Sequence, residues 1–310
     1  FRKENKSVIF ISHDLDEIME VCDTLTVLRD GKIIRTFEKA EFEAGAIRAS
    51  MIGRELQGDY YRSDFQASSQ PEVALDVRNL VYADRLKGIS FQVHKGEIVG
   101  IGGLAHCGMH SLGKVCFGAL KPEEGSVTVE DGTIIDSPAI AMKKRVGYVS
   151  KDRDVESLCL NASIEDNISI AGMSEFAINN FLILKNREKK YVNHQIEELS
   201  IKCAGRDQSV SQLSGGNKQK VVFGKWIGCG SEILILDCPT RGVDIGVKQA
   251  MYQLMVRLKN EGKSILMISE ELPELIGMSD RILIMKNGEV SAEFERSETL
   301  SDAQIIEYMI

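Results

Sequence analysis

The sequence lacks a surplus of basic residues, a long apolar run and paired cysteines. With 38 Lys and Arg against 46 Asp and Glu, its net charge is −8, which argues against a nucleic-acid binder. No apolar run approaches the roughly 18 residues that a membrane-spanning helix needs, and residues 1–6 do not resemble a signal peptide. The seven cysteines include no CxxC pair, which favours reduced thiols over a disulfide framework.

The two ends of the chain repeat each other. Seven residues recur after a constant 257 positions, and Met51-Ile52 recurs as Met309-Ile310 after a slip of one residue. Because the same separation holds across a strand, a helix and a turn, it indicates tandem duplication of a whole domain. The matched pairs are Ser7/Ser264, Ile11/Ile268, Ser12/Ser269, Leu15/Leu272, Glu17/Glu274, Asp23/Asp280 and Gly31/Gly288.

The repeat predicts the organisation of the chain. Residues 1–52 are interpreted as the end of a first domain, either in an excised piece of a longer protein or in a truncated reading frame. Residues 53–70 have the composition of a polar linker. Residues 71–310 then form one complete second domain.

Alternation and turn residues predict the strands of the second domain. Residues 73–80 and 88–93 alternate as half-buried strands, and residues 97–102 form a short apolar strand before a glycine-rich loop. Asp131-Gly132 and Asn287-Gly288 are typical of hairpin turns, because these residue types tolerate positive φ.

Helical signals alternate with these strands. Residues 187–204 are predicted to form a helix closed by Gly205. Met251, Leu254, Met255 and Leu258 form an apolar stripe at helical spacing, which we interpret as plain core. Strands that alternate with helices favour a mostly parallel sheet covered by helices.

Two neighbouring motifs carry the strongest functional signal. Leu213-Ser214-Gly215-Gly216-Asn217 precedes an amphipathic run, and such a helix start presents a hydroxyl and free N–H groups to an anion. The apolar residues 233–236 end at Asp237, which places a metal-organising carboxylate at the carboxyl edge of a parallel sheet. Residues 239–244, Pro-Thr-Arg-Gly-Val-Asp, follow. A lone Ser-Gly-Gly is typical of an ordinary capped helix, so the order and spacing carry the argument.

These motifs resemble the signature loop and the Walker B strand of ABC-type ATPases. Residues 213–217, 239–244 and Met51-Ile52-Gly53-Arg54 are similar to the ATP-binding subunits of ribose, galactoside and xylose importers, in which two ABC domains share one polypeptide. The resemblance implies an α/β P-loop NTPase fold with a parallel-sheet core, an antiparallel β subdomain and a helical subdomain.

The resemblance also implies cofactors and partners. In such proteins each nucleotide lies between the Walker loops of one domain and the signature loop of the other. Ser214, Gly215, Gly216 and Asn217 would then contact ATP and Mg²⁺ held by an intact first ABC domain. His13 would be the switch histidine of that domain, and a surface histidine after a strand is the alternative interpretation. An integral-membrane sugar permease and, indirectly, a sugar-binding protein would be further partners at the cytoplasmic face of the membrane, and nucleic acid would not.

The phosphate loop of the second domain departs from the family pattern. Gly103 and Gly108 keep their spacing, but Met109 occupies the lysine position and His110 the Ser/Thr position. Methionine offers no charge and no donor, so a charge-assisted contact of about 1.5–3 kcal/mol is absent. We predict weak or absent binding of ATP and Mg²⁺ here. Asp237 remains as a weak metal ligand or as a strand-end carboxylate bonded to backbone.

Three more positions depart in the same direction. Cys238 replaces the glutamate that orients the attacking water and is interpreted as a small apolar filler. Glu270 replaces the switch histidine. Ser150-Lys151-Asp152-Arg153 resembles the family's Pro-Glu-Asp-Arg but introduces a positive charge. We therefore predict a silent second site, a signature loop that acts in trans, and no ATP hydrolysis by this chain alone.

Two other site interpretations remain. Residues 108–114 also spell a GxxxxGK, but this register starts five residues after Gly103, so a surface helix lysine is favoured. His106, Cys107 and His110 have a spacing compatible with a metal site, without an HExxH glutamate or an obvious further ligand.

Other functional classes fit the sequence less well. Translation-type tandem ABC proteins have a long basic linker, whereas residues 53–70 are short and slightly acidic. Chromosome-maintenance relatives insert heptad coiled coils, and only about sixty residues separate Arg153 from Leu213 here. A structural or regulatory subunit that docks on a partner is the third class. The sugar itself is not encoded in these residues.

Overall fold

The computed structural model of the chain describes residues 4, 6–12, 15–29, 31–52, 60–178 and 182–310. His13 and residues 53–59 lie outside this described part, so the interpretation of His13 stays a prediction. The chain divides into two compact units, one of residues 1–60 with 243–250 and one of residues 61–242 with 251–310. Within the described ranges, none of the helices has the length and apolar composition of a membrane span.

The first unit packs two short helices on a β-hairpin. Strands β1 and β2 pair in antiparallel fashion between the helices α1 and α2. These elements are α1 (Leu15–Val21), β1 (Thr24–Arg29), β2 (Lys32–Glu38) and α2 (Ala44–Ile52). The small core of this unit contains Leu15, Ile18, Leu25, Val27, Phe37 and Ile47.

The repeat seen in the sequence extends to strand register. In the first hairpin Thr24 faces Glu38, and the register shifts between Val27 and Leu28. In the last hairpin of the chain Arg281 faces Glu295, and the register shifts between Ile284 and Met285, each position 257 residues later. Since a bulge is a specific local feature, its recurrence at the same place supports a duplication.

The second unit is organised around a six-stranded sheet of order β13-β12-β5-β11-β10-β7. The β12–β13 pair is antiparallel and the other neighbours are parallel. Every residue of β5, β10 and β11 is buried, which explains their continuous apolar sequences. The strands are β5 (Ile98–Gly103), β7 (Val146–Val149), β10 (Ile233–Asp237), β11 (Ser264–Ile268), β12 (Arg281–Lys286) and β13 (Glu289–Glu295).

An antiparallel sheet of order β4-β3-β6 accompanies the main sheet. Residues 89–93 of β4 alternate between buried and exposed, as predicted, whereas β3 shows no regular alternation. Gly132 and the Asn287-Gly288 pair have positive φ, which confirms both predicted turns. The strands are β3 (Val73–Tyr82), β4 (Leu86–His94) and β6 (Glu124–Val129), and a two-residue pair joins β8 (Ala177–Ile178) to β9 (Leu182–Ile183).

Nine α-helices follow α2 along the described part of the chain. The stripe from Met251 to Leu258 is buried, which confirms its interpretation as core. They are α3 (Met109–Cys116), α4 (Pro138–Lys143), α5 (Ile164–Ser169), α6 (Met173–Phe176), α7 (Lys185–Glu198), α8 (Gly215–Gly228), α9 (Ile245–Asn260), α10 (Leu272–Met278) and α11 (Asp302–Ile306).

The predicted helix over residues 187–204 ends earlier than expected. Helix α7 stops at Glu198 because Ser200 adopts a left-handed φ of 49°, and the Ile201 N–H then bonds the Ile196 carbonyl at 2.9 Å. This is the hydrogen-bonding pattern of a glycine-type helix end, formed here by a serine. The prediction that Gly205 closes the helix was therefore wrong.

Residues 61–70 have no helix or strand but lie against the second unit. The Arg62 guanidinium is buried and lies 3.0 Å from the Asp280 carboxylate. Lys259 Nζ lies 3.0 Å from the other oxygen of Asp280. The Asp280 carboxylate thus links this segment to α9 and to the start of β12. Where the domains begin and end stays a prediction.

The α/β fold with a largely parallel core, an antiparallel β subdomain and a helical region is confirmed. Strands β5, β7, β10 and β11 run in the same direction, so their carboxyl ends meet at one edge of the sheet. The residues that follow these four strands form the candidate site.

Candidate functional site

The loop between β5 and α3 keeps the glycines of a phosphate loop for reasons within the chain itself. A Cβ at Gly103 would lie 2.4 Å from the Met285 carbonyl oxygen. Gly108 has a φ of +105°, and a Cβ there would lie 2.1 Å from the Arg85 carbonyl oxygen. Packing against backbone therefore requires both glycines, whether or not a phosphate binds.

Met109 and His110 begin helix α3, where the family pattern has a lysine and a hydroxyl residue. Met109 is fully buried, and because methionine is uncharged this position presents no cation to the loop. His110 is partly exposed and points toward the ends of β10 and β11. Its Nδ1 lies 2.7 Å from Asp237 Oδ1, and its Nε2 lies 3.4 Å from Glu270 Oε1.

Both oxygens of the Asp237 carboxylate have side-chain partners. Oδ1 contacts His110, and the Tyr148 hydroxyl donates to Oδ2 at 3.1 Å. Burial and the nearby Asp237 charge raise the pKa of Tyr148, so its hydroxyl stays protonated as a donor. Asp237 is completely buried. The alternative that Asp237 is held by backbone groups was wrong, because its partners are His110 and Tyr148.

Lys151 brings a positive charge into the same place. Its ammonium lies 2.6 Å from Glu270 Oε1 and 3.0 Å from His110 Nε2. The hydrogen bond from Lys151 lowers the pKa of Glu270, which keeps that carboxylate ionised. Asp237, His110, Glu270 and Lys151 thus form one continuous network of hydrogen bonds and ion pairs, which we call the internal ion network.

Cys238 lies directly after Asp237 with a φ of +50°. Its N–H donates to the Ile268 carbonyl at 2.8 Å, which fixes it next to β11. Burial raises the pKa of the Cys238 thiol, and the Asp237 charge raises it further, so the neutral form is favoured. Neutral and buried, this thiol does not act as the carboxylate base of a hydrolytic site.

His110, Asp237 and Cys238 bring three different ligand atoms together. An imidazole nitrogen, a carboxylate oxygen and a sulfur lie within 4.8 Å of one another. The metal site suggested by His106, Cys107 and His110 does not form among the described residues. His106 is exposed with a φ of 71°, and Cys107 is buried.

Lys114 does not belong to a second phosphate loop. Lys114 is in the last turn of α3, and its ammonium lies 2.6 Å from Glu156 Oε1. This is the ordinary helix lysine that we favoured from the sequence.

The predicted signature residues open a different helix, α8. Ser214 is its exposed N-cap and accepts the Asn217 side-chain amide at 2.9 Å. Asn217 Oδ1 in turn accepts the Lys202 backbone N–H at 2.8 Å. Gly215 lies next to Arg153, and a Cβ there would meet Arg153 Nη2 at 2.9 Å and the Gly242 carbonyl at 3.1 Å. The start of α8 is thus ordered, and the Arg153 guanidinium lies beside it.

The loop of residues 150–157 contacts both the internal ion network and the start of α8. Residues 150–157 follow β7, and Lys151 joins the internal ion network. Two residues later the Arg153 guanidinium donates to the Arg241 carbonyl at 2.7 Å and to the Gly242 carbonyl at 3.3 Å, beside Gly215. Lys218 on α8 binds Asp154 of the same loop at 3.0 Å.

The sequence missed Tyr148 and the pairing of Lys151 with Glu270. Tyr148 lies within an apolar strand, where a tyrosine is unremarkable as a core residue. Lys151 and Glu270 were noted as separate departures from a family pattern. Only the parallel order of β7, β10 and β11 shows that both charges lie at one edge.

Comparison with known proteins agrees with this geometry. Residues 86–241 match the ABC transporter family model. The chain is 37% identical over its full length to the ribose import ATP-binding protein RbsA of Clostridium tetani, covering 61% of that protein. It is 38% identical over 97% of its length to the protein of the same name in Bacillus subtilis, covering 60% of it.

The chain therefore spans about 60% of the length of these curated relatives. A nucleotide-free ATP-binding cassette from an ABC transporter superposes with a TM-score of 0.63 at 23% identity, over 77% of this chain and 99% of that one. That likeness shows the fold. The family match covers just over half of the chain and includes β5, α3, the signature residues and β10. This chain belongs to the ABC transporter family.

Proposed function

We propose that this chain is the second-domain portion of the ATP-binding subunit of an importer for a simple sugar. In this proposal the second domain supplies its signature loop in trans, while its own nucleotide site is silent. The relatives support the sugar and the ATP, because they are named as ribose import ATP-binding proteins. The contrast between the two helix starts, at Ser214 and at Met109, supports the division of roles.

The residues at the phosphate loop do not fit magnesium and a triphosphate. Magnesium prefers an octahedral set of oxygen ligands, whereas His110 and Cys238 offer nitrogen and sulfur beside Asp237. The Lys151 ammonium lies at the same place and is already neutralised by Glu270. Met109 provides no charge for a phosphate. We derive no hydrolytic step at this site.

The residues at the start of α8 do fit an anion. Ser214 accepts from Asn217 through its oxygen, so its hydroxyl proton remains available to an external acceptor. The N–H groups of the first turn point out of the helix start and carry its positive end. ATP with Mg²⁺ on an intact first ABC domain would supply the reactive phosphate. The role of Ser214, Gly215, Gly216 and Asn217 is to hold that phosphate in place.

Further parts of the proposal follow from the same family. The partners are the intact first ABC domain, an integral-membrane sugar permease and, indirectly, a sugar-binding protein. The location is the cytoplasmic face of the membrane. His13 would serve the first domain's site as its switch histidine.

The deciding experiment measures ATP hydrolysis with and without an added intact first ABC domain. We expect no turnover by the 310-residue chain alone. The mixture should hydrolyse ATP, and Ser214→Asp should abolish this activity. Aspartate caps a helix as well as serine does, but its charge repels a phosphate. Ser211→Asp, three residues earlier on an exposed turn, is the matched control and should remain active.

Two results would contradict the proposal. One is ATP turnover by the chain alone that disappears in Asp237→Asn. The other is full activity of Ser214→Asp in the mixture. If an intact first domain restores no activity at all, the chain is instead a non-catalytic structural subunit.

A further inference from the structure

We propose that His110, Asp237 and Cys238 form a binding site for a divalent transition-metal ion of the zinc and cobalt class. The residues that make this pocket unsuitable for magnesium and ATP are the same ones that introduce nitrogen and sulfur. The site belongs to this chain alone and does not depend on a nucleotide or on the first domain.

The three ligands come from well-fixed backbone. His110 is in the first turn of α3, Asp237 ends the buried strand β10, and Cys238 is fixed by its hydrogen bond to Ile268. Their ligand atoms lie within 4.8 Å of one another. In a tetrahedral site with bonds of about 2.0–2.3 Å, donor atoms lie roughly 3.3–3.8 Å apart. The His110–Asp237 distance of 2.7 Å must therefore open by less than about 1 Å.

The donor set selects the metal. Imidazole, carboxylate and thiolate together suit zinc and cobalt, whereas magnesium and calcium take oxygen ligands. Metal binding would displace the proton shared between His110 and Asp237 and the proton of the Cys238 thiol, and both leave to solvent. His110 is partly exposed, which gives an ion a route to the site.

The surrounding groups orient the ligands as metal sites require. When Nδ1 of His110 binds a metal, its Nε2 carries a proton and can donate to Glu270, 3.4 Å away. The Tyr148 hydroxyl holds the second oxygen of Asp237. A histidine backed by a carboxylate and a ligating carboxylate held by a hydrogen bond are the usual outer partners of such a site. Water would take the fourth position.

Lys151 is the competitor at this site. Its ammonium lies 3.0 Å from His110 Nε2, but its stronger contact is with Glu270 at 2.6 Å, away from Nδ1. The lysine side chain is partly exposed and flexible, so it can keep Glu270 while the ring nitrogen changes partner. Lys151→Met should therefore bind the metal at least as tightly as the original chain.

The test is a cobalt titration of the 310-residue chain after treatment with a chelator. We expect one Co²⁺ per chain, with a thiolate-to-cobalt charge-transfer band in the near ultraviolet. Cys238→Ser should lose this band and weaken binding at least about tenfold. Cys159→Ser is the control, because Cys159 is an exposed thiol that would bind cobalt adventitiously, and its band should be unchanged.

A second measurement covers the case in which Cys238→Ser folds poorly. Zinc should raise the Tm of the original chain by roughly 5 °C at a hundredfold excess over Kd, and His110→Gln should reduce this rise. Circular dichroism would show whether each variant is folded. A cobalt band that survives in folded Cys238→Ser or disappears in Cys159→Ser would overturn the site. Absence of stoichiometric cobalt binding by the original chain would do so as well.

Discussion

Two helix starts in the second unit differ in backbone and in surroundings, because the N-cap Gly108 before α3 is left-handed and the N-cap Ser214 before α8 is extended. Helix α8 begins at an exposed Ser214 with the Arg153 guanidinium nearby, and α3 begins beside His110, Asp237, Lys151 and Glu270. At α8 the helix end can receive an anion from outside. At α3 the chain supplies its own cations and anions, and they satisfy each other. This difference in surroundings supports the proposal that the site at α3 is silent.

The glycines mark the same contrast. Gly108 has a backbone oxygen of Arg85 within 2.1 Å of its missing Cβ, so packing alone requires it. A Cβ at Gly215 would lie 2.9 Å from Arg153 Nη2 and 3.1 Å from the Gly242 carbonyl oxygen, so a methyl group there needs smaller shifts than at Gly108. Packing against backbone requires the first glycine, whereas access for a ligand is the role that we propose for the second.

Gly108→Ala should have the largest effect on stability. A methyl group at a φ of +105° against backbone is strained and overpacked, which we expect to cost about 3 kcal/mol or more. Gly215→Ala should change stability by less than about 1 kcal/mol. Urea unfolding is followed by the fluorescence of Trp226, the single tryptophan, whose ring lies 5.6 Å from that of Phe117.

For ATP hydrolysis, unlike stability, we expect the large effect from Gly215→Ala. Gly215→Ala in a mixture with an intact first domain should lose most ATP hydrolysis, since the methyl group blocks the approach of a phosphate. Equal unfolding midpoints for the two variants would show that the two glycines are not constrained differently.

Asp237→Ala should have the next largest effect on stability. It removes a buried carboxylate and leaves His110 and Tyr148 without their partner, at a cost of about 2–4 kcal/mol. Tyr148→Phe should cost about 1–2 kcal/mol, since the carboxylate keeps His110. The exposed Asp207→Ala is the control and should stay within about 0.5 kcal/mol of the original chain. An Asp237→Ala variant as stable as Asp207→Ala would mean that the network contributes no stability.

Restoring the family's residue types in the pocket at α3 should allow this pocket to bind Mg·ATP. A variant with Met109→Lys, His110→Ser, Lys151→Glu and Cys238→Glu removes the imidazole and the Lys151 ammonium and restores the family's residue types at these four positions. We expect it to bind Mg·ATP about 10- to 100-fold more tightly than the original chain, the equivalent of one regained charge-assisted contact. A fluorescent ATP analogue, titrated with and without a chelator, measures this.

Met109→Lys alone is the control for the rebuilt variant. It should gain little, because Lys151 would still compete with Mg²⁺ beside Asp237. Tight Mg·ATP binding by the original chain, or by Met109→Lys alone, would contradict the view that the internal ion network excludes the nucleotide.

The sequence could predict the fold because local signals agreed with each other. The buried strands β5 and β10 have short apolar sequences, β10 ending at Asp237, and Asn287-Gly288 fixes a hairpin. The end of α7 could not be predicted, because Ser200 takes a conformation that usually belongs to glycine. Such exceptions depend on the packing around them.

The site could be predicted only in part for a similar reason. Asp237 and Ser214 stand at motif positions, and each departure from the pattern could be found one residue at a time. The contacts among His110, Lys151 and Glu270 depend on how three separate elements are placed. Sequence spacing does not contain the distances between them.

The loop of residues 150–157 provides the smallest expected effect and the sharpest separation of the two helix starts. Lys151→Met removes a partly exposed ion pair with Glu270, so it should cost only about 0.2–1 kcal/mol, less at high salt. Arg153→Met removes two hydrogen bonds to carbonyls beside Gly215 and should cost more. In a mixture with an intact first domain, Arg153→Met should lower ATP hydrolysis and Lys151→Met should not. If Lys151→Met lowers hydrolysis as much, the pocket at α3 contributes to the active site after all, and the division of roles between the two helix starts fails.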